Sequence, residues 1–182
     1  MANTCSAVVA DHFKIHGRSY SIGAACAAAS HNIGHAFELI RNGQLDRALA
    51  GGGEETGEQI TSAFHSMRMT LSTHFNDRPQ AASRPYDVDR DGFVISGGSG
   101  IVILEELEHA KAQGRKIYAE LIGYGATSDG YDIMLPEPDG KYTGQCMAMA
   151  LDSAGIKPED VDYINTHGTS TTCRRSGRSQ SD

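Results

Sequence analysis

The chain has 182 residues, of which 39% are apolar and 21% charged, and a net charge of −7 at neutral pH. That composition supports one domain with a real core and excludes a disordered or fibrous polymer. The charge becomes −9 when the ten residues from Cys173 are set aside, because Arg174, Arg175 and Arg178 outweigh Asp182, and such an acidic chain is not expected to partner nucleic acid.

No apolar run, the aliphatic Ile101 to Leu104 included, is long enough to cross a bilayer, and the N-terminus lacks the basic patch and apolar stretch of a signal peptide. A cytoplasmic location is the default expectation. Four cysteines, Cys5, Cys26, Cys146 and Cys173, show neither C-x-x-C pairing nor zinc spacing, so they read as free thiols, with no metal site and no disulfide framework. Glycines cluster at Gly51-Gly52-Gly53, at Gly97-Gly98 with Gly100, and at Gly123 with Gly125, but none forms a nucleotide fingerprint. No cofactor is expected. The clusters mark turns or close backbone approaches instead.

In chain order, Met1 to His16 has a helical pattern that ends near Gly17. Tyr20-Ser21-Ile22 alternates like a strand, Gly23-Ala24-Ala25 permits a tight corner, and helix formers follow from Ala27. Ile33, Ala36, Phe37 and Ile40 then share a helical face, with Asn42-Gly43 as the stop. Arg47 to Ala50 is a short strand candidate, and Glu58 to Met69 reads as a helix. Leu71 to Asp89 is irregular, with Pro79 and Pro85 blocking regular structure. Gly92 to Glu105 is rich in Val and Ile and reads as a strand with a glycine-rich bend. A short charged helix over Glu105 to Gln113, a strand over Ile117 to Tyr124 and a loop over Thr127 to Thr143 come next. A helix over Gln145 to Ala154 is closed by Gly155, and a strand over Val161 to Asn165 delivers His167. Strands and helices thus alternate, which predicts an α/β chain with a mixed or mostly parallel sheet.

Two residues stand at strand ends, where working groups of such sheets gather: Cys26 and His167. A cysteine at a helix N-terminus meets unpaired N–H groups that favour the thiolate, the nucleophilic form. Spacing alone leaves two readings of Cys26 open, a nucleophile with His167 as its base and a small buried thiol. His31 and His35 lie one helical turn apart but lack a third ligand, so packing or solvation is expected. His12, His16, His65, His74 and His109 read as surface residues. Among Glu54, Glu55, Asp87, Asp89 and Asp91 there is room for a carboxylate orienting His167, although turn roles come first. The pairs Met67/Met69 and Met147/Met149 read as packing residues.

The runs SIGAACAAASHNIG, AGGGEE, RPYDVDRDGFVISGGSGIVILEELEHA, YAELIGYGATSDG and INTHGTST, in this order, closely resemble the type I β-ketoacyl-acyl-carrier-protein synthases of fatty-acid synthesis. The resemblance implies part of a thiolase-like fold, layered helix/sheet/helix/sheet/helix, over residues 1–172, with 1–92 ending the first half and 93–172 beginning the second. It implies that Cys26 is the nucleophile that carries the acyl group as a thioester and that His167 is the first of two active-site histidines. Thr169 and Thr171 match threonines that meet the carrier's pantetheine arm, and Phe93 matches a residue near the acyl channel.

Family members have further strands before the equivalent of Met1, and after HGTST they carry a GD pair, a lysine, a second histidine and a glycine-rich loop. The chain therefore reads as the middle of a condensing enzyme. Residues 173–182 read as an aberrant tail, since one choice of codons from Cys173 yields the family's Val-Gly-Asp-Leu-Ala-Glu-Val-Lys-Ala when a single base is deleted, as a frameshift would leave it. With one histidine of two, condensation is expected to be impaired, leaving acyl transfer to Cys26, hydrolysis of short-chain esters or thioesters, or an inactive fragment. Acyl carrier protein is an expected partner with weak docking on so acidic a chain, and association into homo-oligomers is expected from uncovered apolar faces.

Overall fold

A computed structural model of the chain describes residues 3–66, 71–132 and 135–172. The expected tail from Cys173 and the Met67/Met69 pair lie outside the described residues. The chain divides into two compact units, Met1–Gly53 with Ser99–Asp162 and Glu54–Gly98 with Tyr163–Asp182.

The first unit holds helices α1 (Thr4–Phe13), α2 (Ala28–Arg41), α4 (Leu107–Ala112) and α5 (Lys141–Ala154), and strands β1 (Arg47–Glu54) and β2 (Gly98–Glu105), whose last and first residues reach into the second unit. Helix α3 (Glu58–Ser66) belongs to the second unit. The helix stops follow local chemistry. Gly43 with φ 66° and Gly155 with φ 69° end α2 and α5 in the left-handed conformation that glycine adopts without strain. At the start of α4, the Glu106 carboxylate accepts the His109 amide at 2.6 Å.

The expected mixed or mostly parallel sheet gives way to a different arrangement among the described residues. Strands β1 and β2 form a two-stranded sheet. The Glu106 amide donates to the Asp46 carbonyl at one end, while Gly51 abuts Gly100 and Ile101 nearer the other, so the strands run antiparallel. Only Gly98–Glu105 of the expected strand from Gly92 is strand, and Phe93 makes an isolated parallel bridge with Leu71. The stretches at Tyr20–Ile22, Ile117–Tyr124 and Val161–Asn165 join no strand ladder among the described residues. Their alternation encodes two-sided chain, but a strand also needs a neighbour to receive its hydrogen bonds. Helix α5 begins at Lys141, inside the expected loop, on the left-handed Gly140.

Residues 117–126 run between two helices of the first unit. On one side an added Cβ at Gly123 would strike the Ala150 carbonyl, and one at Gly125 the Cys146 carbonyl, so only glycine lets this chain lie against α5. On the other side the Tyr124 ring occupies the space a side chain at Gly34 of α2 would need. The Arg41 guanidinium donates to the Ser153 hydroxyl at 3.0 Å, tying α2 to α5. Buried apolar residues here are small, Ala36, Ala50 and Ala110, while Ile101, Val102, Ile103, Tyr118, Leu121 and Ile122 remain exposed. The second unit is centred on Phe75, 5% exposed, with the guanidinium groups of Arg78 and Arg84 at 5.0 and 4.7 Å from its ring centroid.

Candidate active site

Cys26 lies in the first unit, and Phe93, His167, Thr169 and Thr171 in the second. Each neighbourhood is built by its own local chemistry.

Cys26 occupies a 3-10 turn, Ala25–Ala27, that opens directly into α2. The Ala27 amide closes this turn on the Ala24 carbonyl at 3.0 Å. Small residues make the corner possible, but not free of strain. Ala25 has φ 46°, a left-handed value that costs a non-glycine residue about 1–3 kcal/mol and persists only where surrounding contacts hold it. Those contacts come from the incoming chain. The Tyr20 hydroxyl pairs with His35 Nε2 at 2.8 Å, and the Ser21 hydroxyl donates to that of Ser6 at 3.0 Å. The Ile22 amide donates to Asn32 Oδ1 at 3.0 Å. Cys26 itself is exposed, so the buried-thiol reading does not describe it. Nearby, the first-turn N–H groups of α2 favour negative charge.

The histidine pair on α2 serves packing. His35 meets Tyr20, and His31 Nδ1 meets the Tyr124 hydroxyl at 2.5 Å. Burial, followed by the charge of Glu38, pushes the Tyr124 phenol up. His109, read as a surface residue, is half-exposed and pairs with Glu105 Oε1 at 2.6 Å, where the Arg115 guanidinium also donates at 3.1 Å.

In the second unit the HGTST segment is pinned at its serine. Ser170, 3% exposed with φ 63°, accepts the Arg84 amide on its hydroxyl at 3.1 Å and the Gly92 amide on its carbonyl at 3.0 Å. Arg90 Nε donates to the Thr171 carbonyl at 3.1 Å, and Gly168 passes against Pro85. The effect is to bring Thr169 and Thr171 together, with their hydroxyls 2.8 Å apart and both side chains half-buried. His167 is exposed just ahead of them. Phe93 stacks edge-on with Phe64 at 6.0 Å between centroids and lines a cleft of about 230 Å³ with Thr61, Leu71, Ser72, Phe75 and Val94.

Asp87 and Asp91 act as turn and loop acceptors. Asp87 takes the Asp89 amide and an Arg84 N–H, which hold its carboxyl below the usual range. Asp91 accepts the Thr73 and His74 amides at 2.8 and 2.9 Å. Sequence reading passed over Asn32, Ser170, Arg84 and Arg90. Only the position of Ser170 inside HGTST was visible, and its two backbone partners lie about eighty residues away.

Residues 1–110 match the β-ketoacyl synthase, N-terminal domain, and residues 118–174 match the β-ketoacyl synthase, C-terminal domain. The chain is 52% identical over 171 residues to 3-oxoacyl-(acyl-carrier-protein) synthase 1 of Escherichia coli and 50% identical to that of Haemophilus influenzae. In each case the match covers 94% of this chain and 41% of the relative, so the chain spans about two fifths of the length of these curated relatives. Among solved structures, a β-ketoacyl synthase from Burkholderia phymatum superposes with a TM-score of 0.87 at 36% identity, covering 93% of this chain and 41% of that one. A ketosynthase chain from a type II acyl-carrier protein–ketosynthase complex bound to the hexaketide gives 0.88 at 38% identity, with the same coverage. These relatives are ketosynthases of the thiolase fold, and the α/β architecture is a partial version of it.

Proposed function

Because the chain belongs to the β-ketoacyl synthase family, we propose that it takes up acyl groups as a thioester on Cys26. The observation that carries this reading is the exposed Cys26 in a turn opening into α2, inside the SIGAACAAASHNIG run. In the acylation step the Cys26 sulfur attacks the carbonyl of an acyl thioester, the new carbon–sulfur bond forms as the donor's thiolate leaves, and first-turn N–H groups of α2 stabilise the oxygen anion between these events. His167 is assigned as the group that moves protons, Thr169 and Thr171 as contacts for a pantetheine arm, and Phe93 as a wall of the acyl channel. The paired threonine hydroxyls and the apolar cleft beside Phe93 support these roles. An acyl carrier protein is the natural donor, given that one similar structure holds a ketosynthase with its carrier.

A second fate for the acyl group is water. Exposure of Cys26 favours this route, since water reaches a thioester formed there. Attack by water on the acyl carbonyl would release the carboxylic acid and restore the thiol. Condensation with a malonyl donor is proposed to be weak by comparison.

One experiment tests both. The protein and its Cys26→Ala variant are incubated with octanoyl-coenzyme A or p-nitrophenyl octanoate, and intact mass and nitrophenol release are followed. The expected result is one octanoyl addition on Cys26 and slow nitrophenol turnover, both lost in the variant. Wild-type protein that stays unmodified overturns the acyl-transfer reading, and turnover unchanged by Cys26→Ala overturns the hydrolytic one. The exposed apolar residues Ile101 to Ile103 and Tyr118, Leu121 and Ile122 support self-association, which light scattering would register as a dimer or larger species; a monodisperse monomer would contradict it.

A further inference from the structure

We propose that Asn32 is a positioning residue for Cys26, an inference that rests on Cys26 being the reactive thiol. Asn32 is on the second turn of α2, six residues after Cys26, and its amide is used at both ends. Its Oδ1 accepts the Ile22 amide at 3.0 Å and its Nδ2 donates to the Gly51 carbonyl at 3.0 Å. One side chain therefore clamps three pieces of backbone: the chain entering the reactive turn, the helix leaving it, and strand β1.

The placement of these bonds matters more than their number. Ile22 is the last residue before Gly23-Ala24-Ala25, and Ala25 is held at φ 46°. A strained residue needs fixed anchors on both sides. On the far side the anchor is the 3-10 turn itself, closed from Ala27 to Ala24, and the start of α2. On the near side the closest backbone bond to a side chain is the one from Ile22 to Asn32. Strand β1 sets the depth of the same helix, because a Cβ at Gly52 would come within 2.9 Å of the Ala29 Cβ, and the Asn32 bond to Gly51 fixes that approach. No other residue type of this size both accepts and donates in this way at neutral charge. Aspartate keeps the acceptor for Ile22 but turns a carboxylate oxygen toward the Gly51 carbonyl, and leucine keeps the volume with neither bond.

The test reads Cys26 without any acyl substrate. Wild type, Asn32→Asp, Asn32→Ala and Asn32→Leu are alkylated with limiting iodoacetamide at pH 7 beside N-acetylcysteine as an external reference, and the rate at the Cys26 peptide is measured by mass spectrometry. Melting temperature is recorded for each. Because Cys26 is already exposed, loosening the turn adds no access, so the change expected is loss of the fixed position that the turn gives Cys26 ahead of α2. Asn32→Ala and Asn32→Leu should slow Cys26 by about 3- to 10-fold, the worth of one neutral hydrogen bond. Asn32→Asp should stay within about 2-fold of wild type in Cys26 rate while melting below it, since the bond to Ile22 is kept and a carboxylate oxygen replaces the donor to the Gly51 carbonyl. Leucine, close in volume and a good helix former, gives the answer if the alanine variant does not fold.

Cys26 rates that are unchanged in the leucine and alanine variants, or that fall in all three variants in step with melting temperature, overturn the positioning role. The octanoylation experiment is independent of this outcome. A wild-type chain that alkylates but does not acylate sinks the acyl-transfer reading and leaves the Asn32 result standing.

Discussion

Asp91 offers a quantitative test of how the second unit is held, because it joins the Thr73–His74 loop to Gly92 and Phe93. Its side chain is 9% exposed. Burial alone pushes the carboxyl up, but the nearby Ser72 hydroxyl and the His74 and Thr73 amides, with the His74 charge, more than offset this and hold the pKa at about 2. The two amides meet Oδ2 at 2.8 and 2.9 Å, whereas Ser72 stands close enough to favour the carboxylate without a hydrogen bond of standard geometry. The ordinary value is 3.8. A carboxyl whose folded pKa is depressed stabilises the fold above its unfolded pKa and loses that contribution as pH falls through the folded one. The linkage relation gives about 2 kcal/mol at pH 7, about 1 kcal/mol at pH 3 and under about 0.5 kcal/mol at pH 2. Asp91→Asn keeps an acceptor oxygen but removes the charge. Its destabilisation relative to wild type, from urea unfolding followed by far-ultraviolet circular dichroism, should therefore be about 2 kcal/mol at pH 7 and roughly half that at pH 3. Taking the difference between the two proteins at each pH cancels the other carboxylates, which titrate in both. A destabilisation equal at the two pH values would refute the argument that the ionised carboxylate is what the loop amides hold.

Two further outcomes follow from the first unit. Gly34→Ala gains up to about 1 kcal/mol of helix propensity but drives a methyl group into the Tyr124 ring, displacing it from His31, so a net loss of about 1–2 kcal/mol is expected in thermal unfolding, and a stabilised variant would contradict this packing. At the turn that carries Cys26, Ala25→Gly relieves the left-handed strain while loosening the unfolded chain, for a net gain of about 0.5–1 kcal/mol; Ala25→Val, with its branched Cβ, should lose at least about 1 kcal/mol, and the reverse order in melting temperature would show that the turn is not strained at this residue.

What the sequence made legible, and what it hid, divides by the distance over which each feature is specified. Helix α2 was readable because its apolar face, the small residues ahead of it and the Asn42-Gly43 stop all lie within one stretch of chain. The same holds for Gly155 at the end of α5 and for the tight corner before Cys26. Ile117–Tyr124 has an equally clear local pattern, but whether it becomes a strand is decided by a neighbour's backbone, and alternation carries no information about that neighbour. The motif resemblance singled out Cys26, His167, Thr169, Thr171 and Phe93 as candidates, because each sits in a recognisable run. It did not locate what holds them. Asn32 looks like a solvated helix residue until its two backbone partners, ten residues back at Ile22 and nineteen ahead at Gly51, converge on it. Ser170 is hidden between two threonines of a motif, and its role is written in Arg84 and Gly92. An exposed side chain such as Cys26 depends on the backbone on either side of it for its position; that backbone, turned sharply at Ala25, is in turn tied by side chains arriving from elsewhere. The supporting residues of this chain are thus specified non-locally for the same physical reason that the turn carrying Cys26, its proposed nucleophile, is specified locally.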